Sequence, residues 1–146
     1  MAGIHEYMSR HHELCDGIFG RAKKAATGND WAGTERDCKA FLQQINQHID
    51  AEENLLFPAF EDKTGMTGGP TQVMRMEHAQ LRELFEEMLA AIGGKEADRY
   101  LRNADLVAAL LHEHNMKEEN ILYPMLDNLL GAEAAGLLAQ VEDMLA

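Results

Sequence analysis

Two pairs of potential metal ligands recur at matched positions in the two halves of the chain. His48 and Glu52 are four residues apart, and so are His114 and Glu118. Residues at i and i+4 lie on one face of a helix, roughly 6 Å apart at Cβ, so each pair can contact one metal ion or two neighbouring ions. One further histidine precedes each pair, by 37 and 36 residues respectively. The candidate metal ligands are therefore His11, His48, Glu52, His78, His114 and Glu118.

The two pairs belong to an internal repeat. Residues 48–58 and 114–124 are identical at six of eleven positions. Apolar residues at helical spacing flank each pair, which predicts that both glutamates point into a core. Burial of a carboxylate without a partner is costly, so two of them among four imidazoles predict bound cations. Such a nitrogen and oxygen donor set suits iron, with manganese or zinc as alternatives. The apolar neighbours are Phe41, Ile45 and Leu55 in one half and Val107, Leu111 and Ile121 in the other.

The first histidine position has two candidates. His12 competes with His11, but Leu14 and Ile18 share the helical face of His11, which favours His11 as the ligand. Tyr7 lies one turn before His11 and is a candidate to reach the metals from the same helix.

Glycine, proline and asparagine divide the chain into helical segments. Breakers at 27–30, 63–70, 92–95 and 131 predict helices over about 4–26, 31–60, 71–91 and 97–130, with a short fifth helix over 132–145. Pro58 and Pro124 predict a kink or a helix end after each ligand pair. Long helices joined by short loops predict an all-α, antiparallel up-down-up-down four-helix bundle. The whole chain, residues 1–146, is expected to be one domain.

The charge and hydropathy of the chain disfavour two classes of partner. The formal net charge is −12, which repels nucleic acid and anionic lipid. No apolar run approaches the roughly 18 residues that span a membrane, and no signal peptide is visible. A cytoplasmic protein is therefore expected.

The pattern His…His-x-x-x-Glu…His…His-x-x-x-Glu resembles that of the hemerythrin family, in particular its bacterial HHE cation-binding branch. Residues 11–19 are also similar to the first-helix ligand region of that family. The resemblance implies two irons between four helices, bridged by the two glutamates and by an oxo, hydroxo or water ligand. It further implies an open coordination position for O₂, peroxide or nitric oxide, which the protein would bind, reduce or sense. The alternative is an iron or oxygen sensor, or an iron–sulfur cluster repair protein, without turnover of its own.

Two positions depart from the oxygen-carrying relatives. Met74 stands where the carriers have a fifth histidine, and Glu119 stands where they have an aspartate. Position i+5 is rotated about 140° from His114 and position i+4 only about 40°, which favours Glu118 as the ligand. Glu53 and Glu119 are then expected either to support the ligands from outside or to face solvent, and the second interpretation is favoured. These departures favour redox chemistry or sensing over reversible oxygen carriage.

A ferritin-like carboxylate site is the main structural rival. That class uses Glu-x-x-His on its metal-binding helices. No histidine in this sequence follows a glutamate at that spacing, so the rival class is disfavoured.

Overall fold

The computed structural model describes residues 3–146, and within that range the chain is all-helical, which confirms the predicted fold class. The α-helices are α1 (Ile4–Thr27), α2 (Trp31–Ala51), α3 (Phe57–Thr64), α4 (Pro70–Gly93), α5 (Ala97–Lys117), α6 (Tyr123–Leu130) and α7 (Ala134–Leu145). Two π-helical turns, Glu52–Leu56 and Glu118–Leu122, connect α2 to α3 and α5 to α6, and a 3₁₀ turn at Gly131–Glu133 precedes α7.

The helices pack as two pairs. Helix α1 packs on α2 and α4 on α5, and the pairs meet through contacts of α1 with α5 and of α2 with α4. Each pair is joined by three residues, 28–30 and 94–96, a length typical of antiparallel neighbours. The up-down-up-down order stays a prediction that these contacts support. Within residues 3–146, no helix combines the length and the apolar character needed to cross a bilayer.

The apolar core has two parts, one on each side of the candidate ligands. The first cluster includes Phe41 and Phe85, and the second includes Phe57 and Phe60. Helices α2 and α5 continue through the π-helical turns into α3 and α6. Along each of the four long helices, the candidate ligands lie between residues of the first cluster and residues of the second. The fold therefore places a polar layer between two apolar regions.

The π-helical turns change which residues face the core. Leu56 and Leu122 are buried, whereas Ile121 is 54 % exposed. The prediction that Ile121 lies in the core is wrong. The π-helical turn contains one extra residue, so Leu122 faces the core in place of Ile121. Pro58 and Pro124 follow these turns without ending the helix. The wider turn accommodates a proline ring, which would otherwise clash with a carbonyl of the preceding turn.

The first turn of α1 is bound by a side chain from α6. The carboxylate of Asp127 accepts hydrogen bonds from the backbone N–H groups of Ile4, at 2.9 Å, and His5, at 3.0 Å. The residue at the N-cap of α1 is Gly3, which has no side chain to do this. Asp127 therefore satisfies two helix-terminal donors and ties α1 to α6.

Replacement of Asp127 should destabilise the fold. We expect Asp127→Ala to lower the free energy of unfolding by about 1–2 kcal/mol, the usual cost of losing a helix cap. Urea denaturation followed by circular dichroism measures the change. The control is Asp143→Ala at an exposed position on α7, and equal stability of the two variants would contradict the capping role.

Candidate metal centre

Buried histidines and glutamates from four helices form two adjoining groups. Within each group, one potential ligand atom per residue lies within 4.8 Å of the others. Every residue of the two groups is buried, with at most 2 % of its surface exposed. The first group consists of Glu52, His78, His114 and Glu118, and the second consists of His12, His48 and Glu118.

The two carboxylates lie between imidazoles. Glu118 directs Oε1 to within 3.2 Å of His12 Nε2, and its Oε2 lies 3.2 Å from His114 Nε2. Glu52 Oε1 is 3.1 Å from His78 Nε2. Glu118 thus spans both groups, an arrangement suited to a carboxylate that bridges two ions.

One oxygen of each carboxylate lacks a hydrogen-bond partner. Glu52 Oε1 and Glu118 Oε2 are buried, and neither accepts a hydrogen bond, although an imidazole nitrogen lies close to each. An unsatisfied buried acceptor costs about 1–3 kcal/mol, and more when it is charged. Cations between these oxygens and the imidazoles would remove that cost, so the residues present fit a metal centre.

The ionisation of the site reflects its burial. Burial and the negative charge of Glu118 raise the pKa of Glu52 to about 7. Burial opposes the protonation of His114, but Glu118 and Glu77 outweigh it and raise the pKa of His114 to about 10. In the absence of a cation, protons therefore offset the carboxylate charge. Metal binding would displace those protons.

Three of the inward-facing imidazoles are oriented by carboxylates outside the groups. The Nδ1 atoms lie 2.7–2.8 Å from carboxylate oxygens, so each ring turns Nε2 inward. Such contacts fix the tautomer and the orientation of a ligating histidine. Of the two interpretations for Glu53 and Glu119, the solvent-facing one is wrong, because both carboxylates contact buried rings from outside the groups. The pairs are His12 with Glu119, His78 with Glu53, and His114 with Glu77.

The fourth imidazole, that of His48, is oriented by another histidine. Its Nδ1 lies 2.8 Å from Nδ1 of His11, whose Nε2 lies 3.0 Å from Oε1 of Gln44. If His48 keeps Nε2 free for a metal, its Nδ1–H donates to His11, and His11 donates from Nε2–H to Gln44. Burial and the neighbouring His12 hold the pKa of His48 well below 6.5, in keeping with a neutral ring.

Five of the six predicted ligands come together, and the sixth, His11, lies behind His48. His12 takes the position expected for His11. Leu14, which favoured His11, is 50 % exposed, so it does not mark the buried face of α1. The sequence did contain the better signal: His12 precedes His78 by 66 residues, the same spacing as His48 to His114.

Sequence reasoning missed Tyr123 as a residue of the site. Its hydroxyl oxygen lies 2.7 Å from Glu52 Oε2, 3.0 Å from Glu118 Oε1, 3.2 Å from His48 Nε2 and 3.3 Å from His12 Nε2. Burial and the two carboxylates raise the pKa of Tyr123 well above 10. Without a cation it is therefore a neutral phenol.

The other two positions singled out near the ligands pack into apolar surroundings. Tyr7 is partly buried against the second apolar cluster, and Met74 is a buried member of it. A thioether is a soft ligand and a poor partner for ferric iron. Contacts with the apolar residues of that cluster therefore position both side chains.

The chain belongs to the hemerythrin HHE cation-binding domain family, whose model matches residues 2–126. This confirms the family resemblance carried by the histidines and glutamates. No curated protein and no solved structure matches the chain. Family membership and the buried ligand groups together indicate a metal-binding site.

Substitutions of His11 and His12 should distinguish a residue that binds metal from one that only orients a metal-binding residue. We expect His12→Ala to lower the number of bound metal ions, because it removes an inward-facing nitrogen. We expect His11→Ala to keep that number and to weaken affinity about 10- to 100-fold, as loss of an outer hydrogen bond does. Metal analysis and competition titration measure both quantities.

The control is His112→Ala, at an exposed position of α5, which should leave both quantities unchanged. Loss of an ion in His11→Ala, together with full loading of His12→Ala, would reverse the assignment.

Proposed function

We propose that this chain is a single-domain, non-haem di-iron protein that binds O₂, peroxide or nitric oxide in the bundle core. The observation that carries the proposal is the pair of buried carboxylates, each with one oxygen that accepts no hydrogen bond. Four imidazoles and two carboxylates supply fewer donors than two six-coordinate ions require. The remaining positions would be open to a small ligand.

In this proposal each half of the bundle holds one ion. His12 and His48 would hold one ion and His78 and His114 the other, with Glu52 and Glu118 supplying oxygens between them. The proposal includes the up-down-up-down order, which would bring the ligands of all four helices to one level. The contact of α7 with α2 supports the predicted short fifth helix. Bound iron would supply the electrons and the coordination position for binding or reducing an oxidant.

The surrounding residues prepare the site for such chemistry. Apolar clusters on both sides exclude bulk water, so charges inside interact more strongly than at the surface. Glu53, Glu77 and Glu119 hold imidazoles with Nε2 inward. The mixed nitrogen and oxygen donors suit iron, and manganese or zinc would be distinguished by analysis.

A second candidate function is an iron or oxygen sensor, in which metal occupancy controls the fold. The sensor is favoured because both helix pairs contribute candidate ligands. Without metal, buried carboxylate oxygens would lack partners between the two pairs, which couples metal binding to folding. Amide hydrogen exchange with and without metal tests it. The sensor requires that removal of metal opens whole helices, so protection by metal that is confined to the residues around the ligand groups would exclude the sensor and leave the first proposal intact.

Iron content and reactivity test the proposal directly. We expect protein from iron-replete cells to contain close to two irons per chain. Anaerobic addition of O₂, peroxide or nitric oxide to the reduced protein should change its near-ultraviolet and visible absorption, because the ligand enters the coordination sphere. Protein without iron, or an iron protein whose spectrum responds to none of the three, would contradict it.

A further inference from the structure

The metal centre has an approximate twofold symmetry that follows from the repeat. Residues 66 positions apart make equivalent contacts: Glu119 lies 2.7 Å from His12 Nδ1, and Glu53 lies 2.8 Å from His78 Nδ1. The same spacing relates the ligands and their supporting carboxylates. The equivalent pairs are His12 and His78, His48 and His114, Glu52 and Glu118, and Glu53 and Glu119.

The symmetry is broken at one aromatic position. Phe57 and Tyr123 are equivalent residues, each directly after a π-helical turn. The ring of Phe57 lies 5.6 Å from that of His78, and the ring of Tyr123 lies 5.7 Å from that of His12. The rings therefore have matching places, and only the half containing His12 and His48 gains an oxygen.

The position of that oxygen is the one expected of a ligand. It lies 2.7–3.3 Å from one donor atom each of Glu52, Glu118, His48 and His12. In an octahedral coordination sphere with bonds of about 2.1 Å, neighbouring donors are about 3 Å apart. A phenol can accept hydrogen bonds from the two imidazoles, but it has one proton to donate to the two carboxylate oxygens, whereas a metal ion would account for all four contacts.

We propose that the Tyr123 oxygen binds directly to the ion held by His12 and His48. This inference rests on the proposed metal centre and adds a residue to it. When the oxygen binds, the O–H bond is replaced by an O–metal bond, one proton leaves to solvent, and no electron is transferred.

The proposal makes the two ions inequivalent. Phe57 offers no donor to the ion held by His78 and His114, so the open coordination falls in that half. The buried Met74, one turn before His78, adds only a thioether there. A small oxidant would therefore meet the half that contains Phe57.

Resonance Raman spectroscopy of the oxidised, iron-loaded protein tests the proposal. Wild-type protein should show a visible tyrosine-to-iron charge-transfer band, and excitation into it should enhance tyrosine ring modes. Tyr123→Phe installs the residue that the repeat has at position 57, so the bundle should accept it. The variant should keep two irons and lose both the band and the ring modes.

The controls separate this proposal from the metal centre itself. Tyr7→Phe and Tyr100→Phe should retain the band, and iron analysis of the same samples reports loading. Absence of iron in wild type would overturn the metal centre, whereas two irons without tyrosine modes would overturn only the Tyr123 ligand. If Tyr123→Phe does not fold, wild-type protein is prepared with ring-deuterated tyrosine. The enhanced Raman modes should then shift to lower frequency, and unshifted modes would reject the proposal.

Discussion

The structure depends on keeping two carboxylates in an apolar interior. Glu52 and Glu118 are fully buried, and each has an oxygen that accepts no hydrogen bond. A protein without a cation there would bear an energetic cost that well-packed apolar residues would avoid. The four imidazoles, the outer carboxylates and the two apolar clusters are all arranged around these two groups. The metal centre thus explains the composition of the core better than packing does.

The internal repeat explains how one fold builds such a site. Each half supplies a histidine, a His-x-x-x-Glu pair and a supporting glutamate, and the two halves meet face to face. Two differences between the halves lie next to the candidate ligands. In the first half His11 orients His48, whereas in the second half the equivalent residue, Glu77, orients His114. The first half has Phe57 where the second has Tyr123. These differences make the two sides of the site electronically distinct.

Helical spacing and repetition predict the all-helical fold, and they identify five of the six side chains that lie together in the two buried groups. They do not predict the π-helical turns, whose single extra residue moves Ile121 outward and Leu122 inward. The choice between His11 and His12 needs the phase of α1, which exposed Leu14 misrepresents. The role of Tyr123 depends on contacts between helices distant in sequence, which local periodicity does not contain.

The most direct test is the free energy of unfolding of stripped and metal-loaded protein, compared with a variant carrying Glu52→Gln and Glu118→Gln. The account predicts that metal stabilises only the wild type, by about 4 kcal/mol when free metal exceeds the Kd a thousandfold. Equal stability of wild type with and without metal, or equal stabilisation of the variant, would contradict it.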